Sequence, residues 1–192
     1  MIATGHRLCH RGSMLQKESI PNLLSILRAL LVIPALSIWW LLPAPLSYPS
    51  LLACFILAAV SDFLDGYLAR TWQLHSAFGA MIDQISDKLV VATFLMILLV
   101  DHAVWWLPAL VILLREIYVS GLREYLALAQ IPMPVSRLGK WKTATQMLAI
   151  IALLAAVVYA IPALEILGNL LLSIAAILAA ISALQYSRTL VR

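Results

Sequence analysis

Charge is scarce in this sequence. Charged residues make up 11% of the 192 residues, against about a quarter in an ordinary soluble domain. Apolar residues make up 64%, more than a soluble core of this size needs. No polar stretch is long enough to fold alone, which excludes a second, soluble domain. Cysteine is scarce too: Cys9 and Cys54 are the two in the chain, and they give neither a disulfide framework nor a repeated metal spacing. His6, Cys9 and His10 lie close together and could bind a metal. They fall in residues 1–19, which read as a disordered N-terminal extension. Met14, followed by Leu-Gln-Lys-Glu-Ser, offers an alternative start that would make residues 1–13 an upstream segment. A cleaved secretory signal is excluded, because the apolar segments continue to the end of the chain. The basic residues form no run or arm, so nucleic acid is not an expected partner.

What is present in quantity is long apolar segments. Six of them approach the roughly 20 residues that cross a bilayer as a helix. They run near residues 23–42, 50–70, 78–100, 104–126, 143–161 and 167–187. The expected fold is therefore all-α: a polytopic membrane domain of six transmembrane helices over residues 20–192. Proline falls where turns are needed: Pro43, Pro45 and Pro49 after the first segment, Pro132 and Pro134 after the fourth. Pro108 and Pro162 sit near helix ends.

In a six-helix layout every Lys and Arg falls on or toward one side. Arg7, Arg11, Lys17 and Arg28 precede or begin the first segment, and Arg70 and Lys88 flank the turn between the second and third. Arg115, Arg123, Arg137, Lys140 and Lys142 surround the connection between the fourth and fifth, and Arg188 and Arg192 end the chain. The opposite loops hold only Asp101 and Glu165. The positive-inside rule makes the basic side cytoplasmic, with both termini there. Trp39–Trp40 and Trp105–Trp106 mark the opposite interface as an aromatic belt. The expected location is the cytoplasmic (inner) membrane. The net charge of +4 then describes one face, suited to anionic headgroups or an anionic substrate.

Ionisable residues inside spans are costly and read first as functional. Four aspartates stand out: Asp62 and Asp65 at the end of the second segment, Asp83 and Asp87 at the start of the third. Asp62 and Asp65 are three apart and share a helix face, and Gly79, Asp83 and Asp87 follow at intervals of four. A short turn makes these helices antiparallel neighbours, so the carboxylates converge near the cytoplasmic interface. Bare, they would repel one another and protonate. Divalent cations resolve the conflict, and an all-oxygen site suits hard ions such as Mg²⁺, Mn²⁺ or Ca²⁺. Gly66 and Gly79 leave room for a bulky substrate against the backbone. Single ion pairs, Asp65 with Arg70 or Asp87 with Lys88, are the structural alternative. They leave the spacing of the full set unexplained.

That spacing, Asp-x2-Asp-Gly-x2-Ala-Arg-x8-Gly-x3-Asp-x3-Asp, runs through Asp62, Asp65, Gly66, Ala69, Arg70, Gly79, Asp83 and Asp87. It resembles the signature of the CDP-alcohol phosphatidyltransferases, and the resemblance extends over roughly residues 20–187. The resemblance implies that Asp62, Asp65, Asp83 and Asp87 hold two divalent metal ions, Mg²⁺ or Mn²⁺. It implies that Asp87 is also the catalytic base on the acceptor hydroxyl. Asn22, Ser25, Gly66, Ala69, Arg70, Ser76 and Gly79 would bind CDP-diacylglycerol, and CMP would be released. The active site would lie at the cytoplasmic end of helices two and three, in a homodimer.

The acceptor is read from three further segments: Pro21-Asn22-Leu23-Leu24-Ser25-Ile26-Leu27-Arg28, Arg115 to Glu124, and Gly139 to Gln146. Together they are similar to the branch of the family whose acceptor is glycerol 3-phosphate, with Ser25 where that branch often has threonine. Arg115 and Arg123 are eight apart, on nearly one helix face, and Lys140 and Lys142 begin the next helix on the same membrane side. Such a cluster fits an acceptor phosphate. The competing explanation pairs Arg115 with Glu116 or Glu124 and leaves the lysines to topology. Two rival functions follow: a sister enzyme accepting phosphatidylglycerol or inositol phosphate, and a divalent-cation transport protein. Transport would need carboxylates along a path across the membrane, whereas these lie at one end.

Overall fold

The computed structural model describes residues 23, 25–72, 77–130 and 137–188. The N-terminal extension with His6, Cys9, His10 and Met14, together with Asn22, Ser76, Pro132 and Pro134, lies outside the described residues. So do the side chains of Asp65, Gly66, Ala69, Arg70 and Lys140.

Among the described residues the protein is all-helical, with six helices. They are α1 (Ser25–Leu41), α2 (Ala44–Trp72), α3 (Ala77–Val100), α4 (Trp106–Leu128), α5 (Arg137–Tyr159) and α6 (Pro162–Arg188). The order and number match the six apolar segments, and the boundaries differ for physical reasons. Only Leu42 and Pro43 separate α1 from α2, because Pro45 and Pro49 lie inside α2. Pro45 falls in the first turn, where no intrahelical N–H bond is lost. Pro49 removes a single bond near the start. Pro162 likewise opens α6, at the position whose N–H has no intrahelical partner. α5 starts at Arg137, six residues before its apolar run, since a polar first turn is still helix.

Ala44–Leu64, Trp141–Tyr159 and Pro162–Arg188 are long and apolar enough to cross a membrane. α1 is apolar but shorter. α3 and α4, at 24 and 23 residues, have the length but carry Asp83, Asp87 and Lys88, and Arg115, Glu116 and Arg123. The six expected spans are thus six helices, of which these three are membrane-competent by length and composition.

Three helices end without glycine in the left-handed conformation that usually takes one. His102, Gln130 and Ala160 have φ near +55°, at 56°, 56° and 52°. After His102 and Ala160 the chain bonds back five residues, Ala103 N–H to Leu98 O at 2.9 Å and Ile161 N–H to Ala156 O at 3.2 Å. These bonds satisfy carbonyls that a helix end leaves open.

The described residues form two compact units: those within Met1–Leu42 and Ala53–Thr93, and those within Pro43–Leu52 and Phe94–Arg192. In the first, Ala35, Phe55, Ala58, Val90 and Val91 are buried. In the second, α6 packs against α4 and α5. The buried stripe of α6 is mostly small, Gly168, Ala175, Ala176, Ala179 and Ser182, with Asn169, Leu172 and Tyr186 as its larger members. Its outward stripe is large and apolar: Ile166, Leu170, Ile174, Ile177, Ile181 and Leu184. Small residues enriched on the inward face are the pattern of a helix packed in lipid, where close backbone approach replaces a hydrophobic drive. A β-carbon on Gly168 would lie 2.7 Å from Leu153 Cγ and 3.1 Å from its backbone nitrogen. Polar ties close the loop ends of this unit. Tyr48 Oη donates to Asp101 Oδ2, and the Trp105 N–H donates to Asn169 Oδ1 at 2.7 Å.

Candidate active site

Three helices of the first unit each carry a buried stripe that turns from apolar to polar toward one end. On α2 the stripe runs through buried Phe55 and Ala58 and then reaches Asp62. On α3 it starts at Asp83 and Asp87 and continues in buried Val90. On α1, Ser25 and Arg28 precede Ala35, and all three are buried. Spacings of three, four and seven keep each set on one face.

The result is a carboxylate cluster. One carboxylate oxygen from each of Asp62, Asp83 and Asp87 lies within 4.8 Å of the others. Their side chains are 33%, 47% and 39% exposed. Oxygen donors this close, half open to the outside, fit a hard divalent ion. Asp65 follows Asp62 by one turn of α2, and Gly79 precedes Asp83 by one turn of α3.

The structure adds a residue to this site that sequence reasoning had assigned to topology. Arg28 is 2% exposed, and its Nη1 reaches Asp62 Oδ1 at 2.8 Å and Asp83 Oδ1 at 3.3 Å, and also Asp87 Oδ1. Ser25 Oγ donates to Asp83 Oδ1 at 3.5 Å, the outer limit of a hydrogen bond. Arg28 is three residues from Ser25, the helical spacing that could have placed both on the carboxylate face. The positive-inside pattern offered a sufficient explanation first.

The second unit holds a separate polar cluster. Glu116 Oε1 of α4 accepts from Lys142 Nζ of α5, and from Arg115 Nη1 at 3.3 Å. Arg115 Nη2 donates to Ser182 Oγ of α6 at 2.9 Å. Gln146, one turn after Lys142, is buried on the same stripe of α5. The pairing of Arg115 with Glu116, weighed above as the alternative to phosphate binding, is present. It does not neutralise the cluster, since one carboxylate serves two cations. Arg123 is exposed. Eight residues at 3.6 per turn rotate it about 80° from Arg115, so the two do not share a face as closely as the spacing suggested. Glu116 is the member that sequence reasoning read only as a counter-charge.

Comparison with known proteins places the chain. A family model described as CDP-alcohol phosphatidyltransferase matches residues 18–184. The chain is 41% identical over 170 residues to a CDP-diacylglycerol–glycerol-3-phosphate 3-phosphatidyltransferase of Rickettsia bellii, covering 88% of this chain and 93% of that protein. It is 40% identical over 174 residues to the protein of the same name from Haemophilus influenzae, covering 88% and 92%. It is 38% identical over 191 residues to a CMP-forming cardiolipin synthase of Oryza sativa, covering 91% of this chain and 58% of that protein. The chain belongs to the CDP-alcohol phosphatidyltransferase family.

Proposed function

We propose that this protein transfers the phosphatidyl group of CDP-diacylglycerol to sn-glycerol 3-phosphate, giving phosphatidylglycerophosphate and CMP in phospholipid biosynthesis. The observation that carries the reading is the convergence of Asp62, Asp83 and Asp87 within 4.8 Å, in a chain about 40% identical to enzymes named for this reaction.

Asp62, Asp65, Asp83 and Asp87 would hold two divalent ions, Mg²⁺ or Mn²⁺. Ions bound there would supply charge neutralisation for the pyrophosphate and for the charge that leaves with CMP. Asp87 takes the proton from the acceptor hydroxyl as its oxygen attacks the lipid-side phosphorus. Asn22, Ser25, Gly66, Ala69, Arg70, Ser76 and Gly79 bind the CDP-diacylglycerol half. Arg115, Arg123, Lys140 and Lys142 bind the acceptor phosphate, with Glu116 holding Arg115 and Lys142 in place. The helices contribute chiefly alignment, which is where much of the rate comes from when the chemistry is a displacement. The site faces the cytoplasm at the ends of α2 and α3, both termini are cytoplasmic, and the enzyme is a homodimer of the inner membrane.

Metal dependence tests this reading. Purified protein should release CMP from CDP-diacylglycerol and glycerol 3-phosphate with Mg²⁺ or Mn²⁺, and stop when a chelator is added. Full activity in thoroughly chelated protein contradicts the metal-dependent mechanism. A second reading, transfer to phosphatidylglycerol, is favoured by the 38% identity to a cardiolipin synthase. The basic cluster opposes it by suiting a small anionic phosphate.

A further inference from the structure

Arg28 does more in this fold than mark the basic side of the chain. Its Nη1 lies 2.8 Å from Asp62 Oδ1 and 3.3 Å from Asp83 Oδ1, and it also bonds Asp87 Oδ1. These three carboxylates offer oxygens within 4.8 Å of one another. A nitrogen of a permanently charged group therefore sits where the carboxylates converge. Arginine keeps its proton at any working pH, so this contact cannot be relieved by deprotonation.

A divalent ion drawn to the cluster would use the same carboxylates. A guanidinium and a metal ion at contact distance repel each other, while each gains from the shared oxygens. Arg28 also compensates only part of the charge of three carboxylates, so the cluster still attracts a cation.

We propose that Arg28 is a tethered counter-cation of the carboxylate cluster. It holds Asp62, Asp83 and Asp87 together and yields to divalent ions, which sets the ion concentration at which the site fills. The inference rests on the metal-dependent reading above. Arg28 is a positioning residue: it acts through the aspartates. It separates the demand for converged carboxylates from the demand for metal, so the helices can assemble before an ion arrives. Side chains that repel one another would otherwise oppose that assembly.

The test is a Mn²⁺ titration of the purified full-length protein in detergent micelles, read by the electron paramagnetic resonance of free Mn²⁺. Melting temperatures with and without Mn²⁺ accompany it. Arg28→Gln should bind Mn²⁺ at least about tenfold more tightly than wild type, because a resident competitor is gone. The same variant should melt lower than wild type without Mn²⁺ and recover with it. Arg28→Lys, a point charge in place of a fork, should tighten binding by less. A residue that merely supports the site predicts the reverse, weaker Mn²⁺ binding on removal. Equal or weaker binding in Arg28→Gln overturns the proposal. Should that variant not fold, Arg28→Lys decides by the same comparison. A wild type that binds no Mn²⁺ overturns the metal reading and this proposal with it. A wild type that binds, with variants that do not tighten, overturns this proposal alone.

Discussion

Asp83 and Asp87 stand one turn apart on α3, with Asp83 Oδ1 and Asp87 Oδ1 both directed at Arg28. Asparagine at either position keeps the shape but loses a charge and a proton acceptor. Asp87→Asn should therefore lower CMP release by at least about 100-fold, the usual scale for a positioned general base. The variant should still insert and elute as wild type does. Retained turnover near wild type would remove Asp87 from the reaction. In the other polar cluster, Arg115 and Lys142 are coupled through Glu116. If they grip the acceptor phosphate, Arg115→Ala or Lys142→Ala should raise the KM for glycerol 3-phosphate about tenfold, the loss of one charged hydrogen bond. The KM for CDP-diacylglycerol should move little. Unchanged glycerol 3-phosphate KM in both variants would reduce the cluster to a topology signal. The convergence of Asp62, Asp83 and Asp87 was legible because carboxylates in an apolar helix have few explanations, while the side chain of Asp65 lies outside the described residues. Arg28 and Glu116 were not, because an arginine on the basic side and a glutamate beside an arginine each have an ordinary one. Only the third dimension brings Arg28 to three carboxylates at once.

Helix number and order were readable from hydropathy, since a bilayer-length apolar run has one backbone solution. Helix starts were not. Hydropathy marks the apolar interval, while the helix continues through polar turns such as Arg137–Lys142 and through proline near its N-terminus, as at Pro45, Pro49 and Pro162. Which face of α6 turns inward was hidden as well, because the helix is apolar all round. The inward face is distinguished mainly by its small residues, although Leu172 and Tyr186 also turn in, and Gly168 is its tightest point. Gly168→Ala would press a β-carbon onto Leu153, a fully buried side chain with its backbone close behind. The substitution should destabilise the protein by about 1–3 kcal/mol, as overpacking does in well-filled cores. Thermal unfolding in detergent micelles reads this directly. An unchanged melting temperature would mean that α5 and α6 separate more easily than their packing implies.

At the level of the whole molecule, two charged clusters stand out among the described residues: a carboxylate cluster with its own arginine, and a basic cluster with its own glutamate. On the proposed function, the first would serve a pyrophosphate-bearing donor through metal ions and the second an anionic acceptor. That division is the central claim, and acceptor choice tests it most directly. Purified protein in nanodiscs, given labelled CDP-diacylglycerol and Mg²⁺, should be offered glycerol 3-phosphate, phosphatidylglycerol, inositol phosphate and serine in parallel. CMP release and labelled phosphatidylglycerophosphate are expected with glycerol 3-phosphate, and little product with the others. Cardiolipin formed from phosphatidylglycerol, with no product from glycerol 3-phosphate, would contradict it.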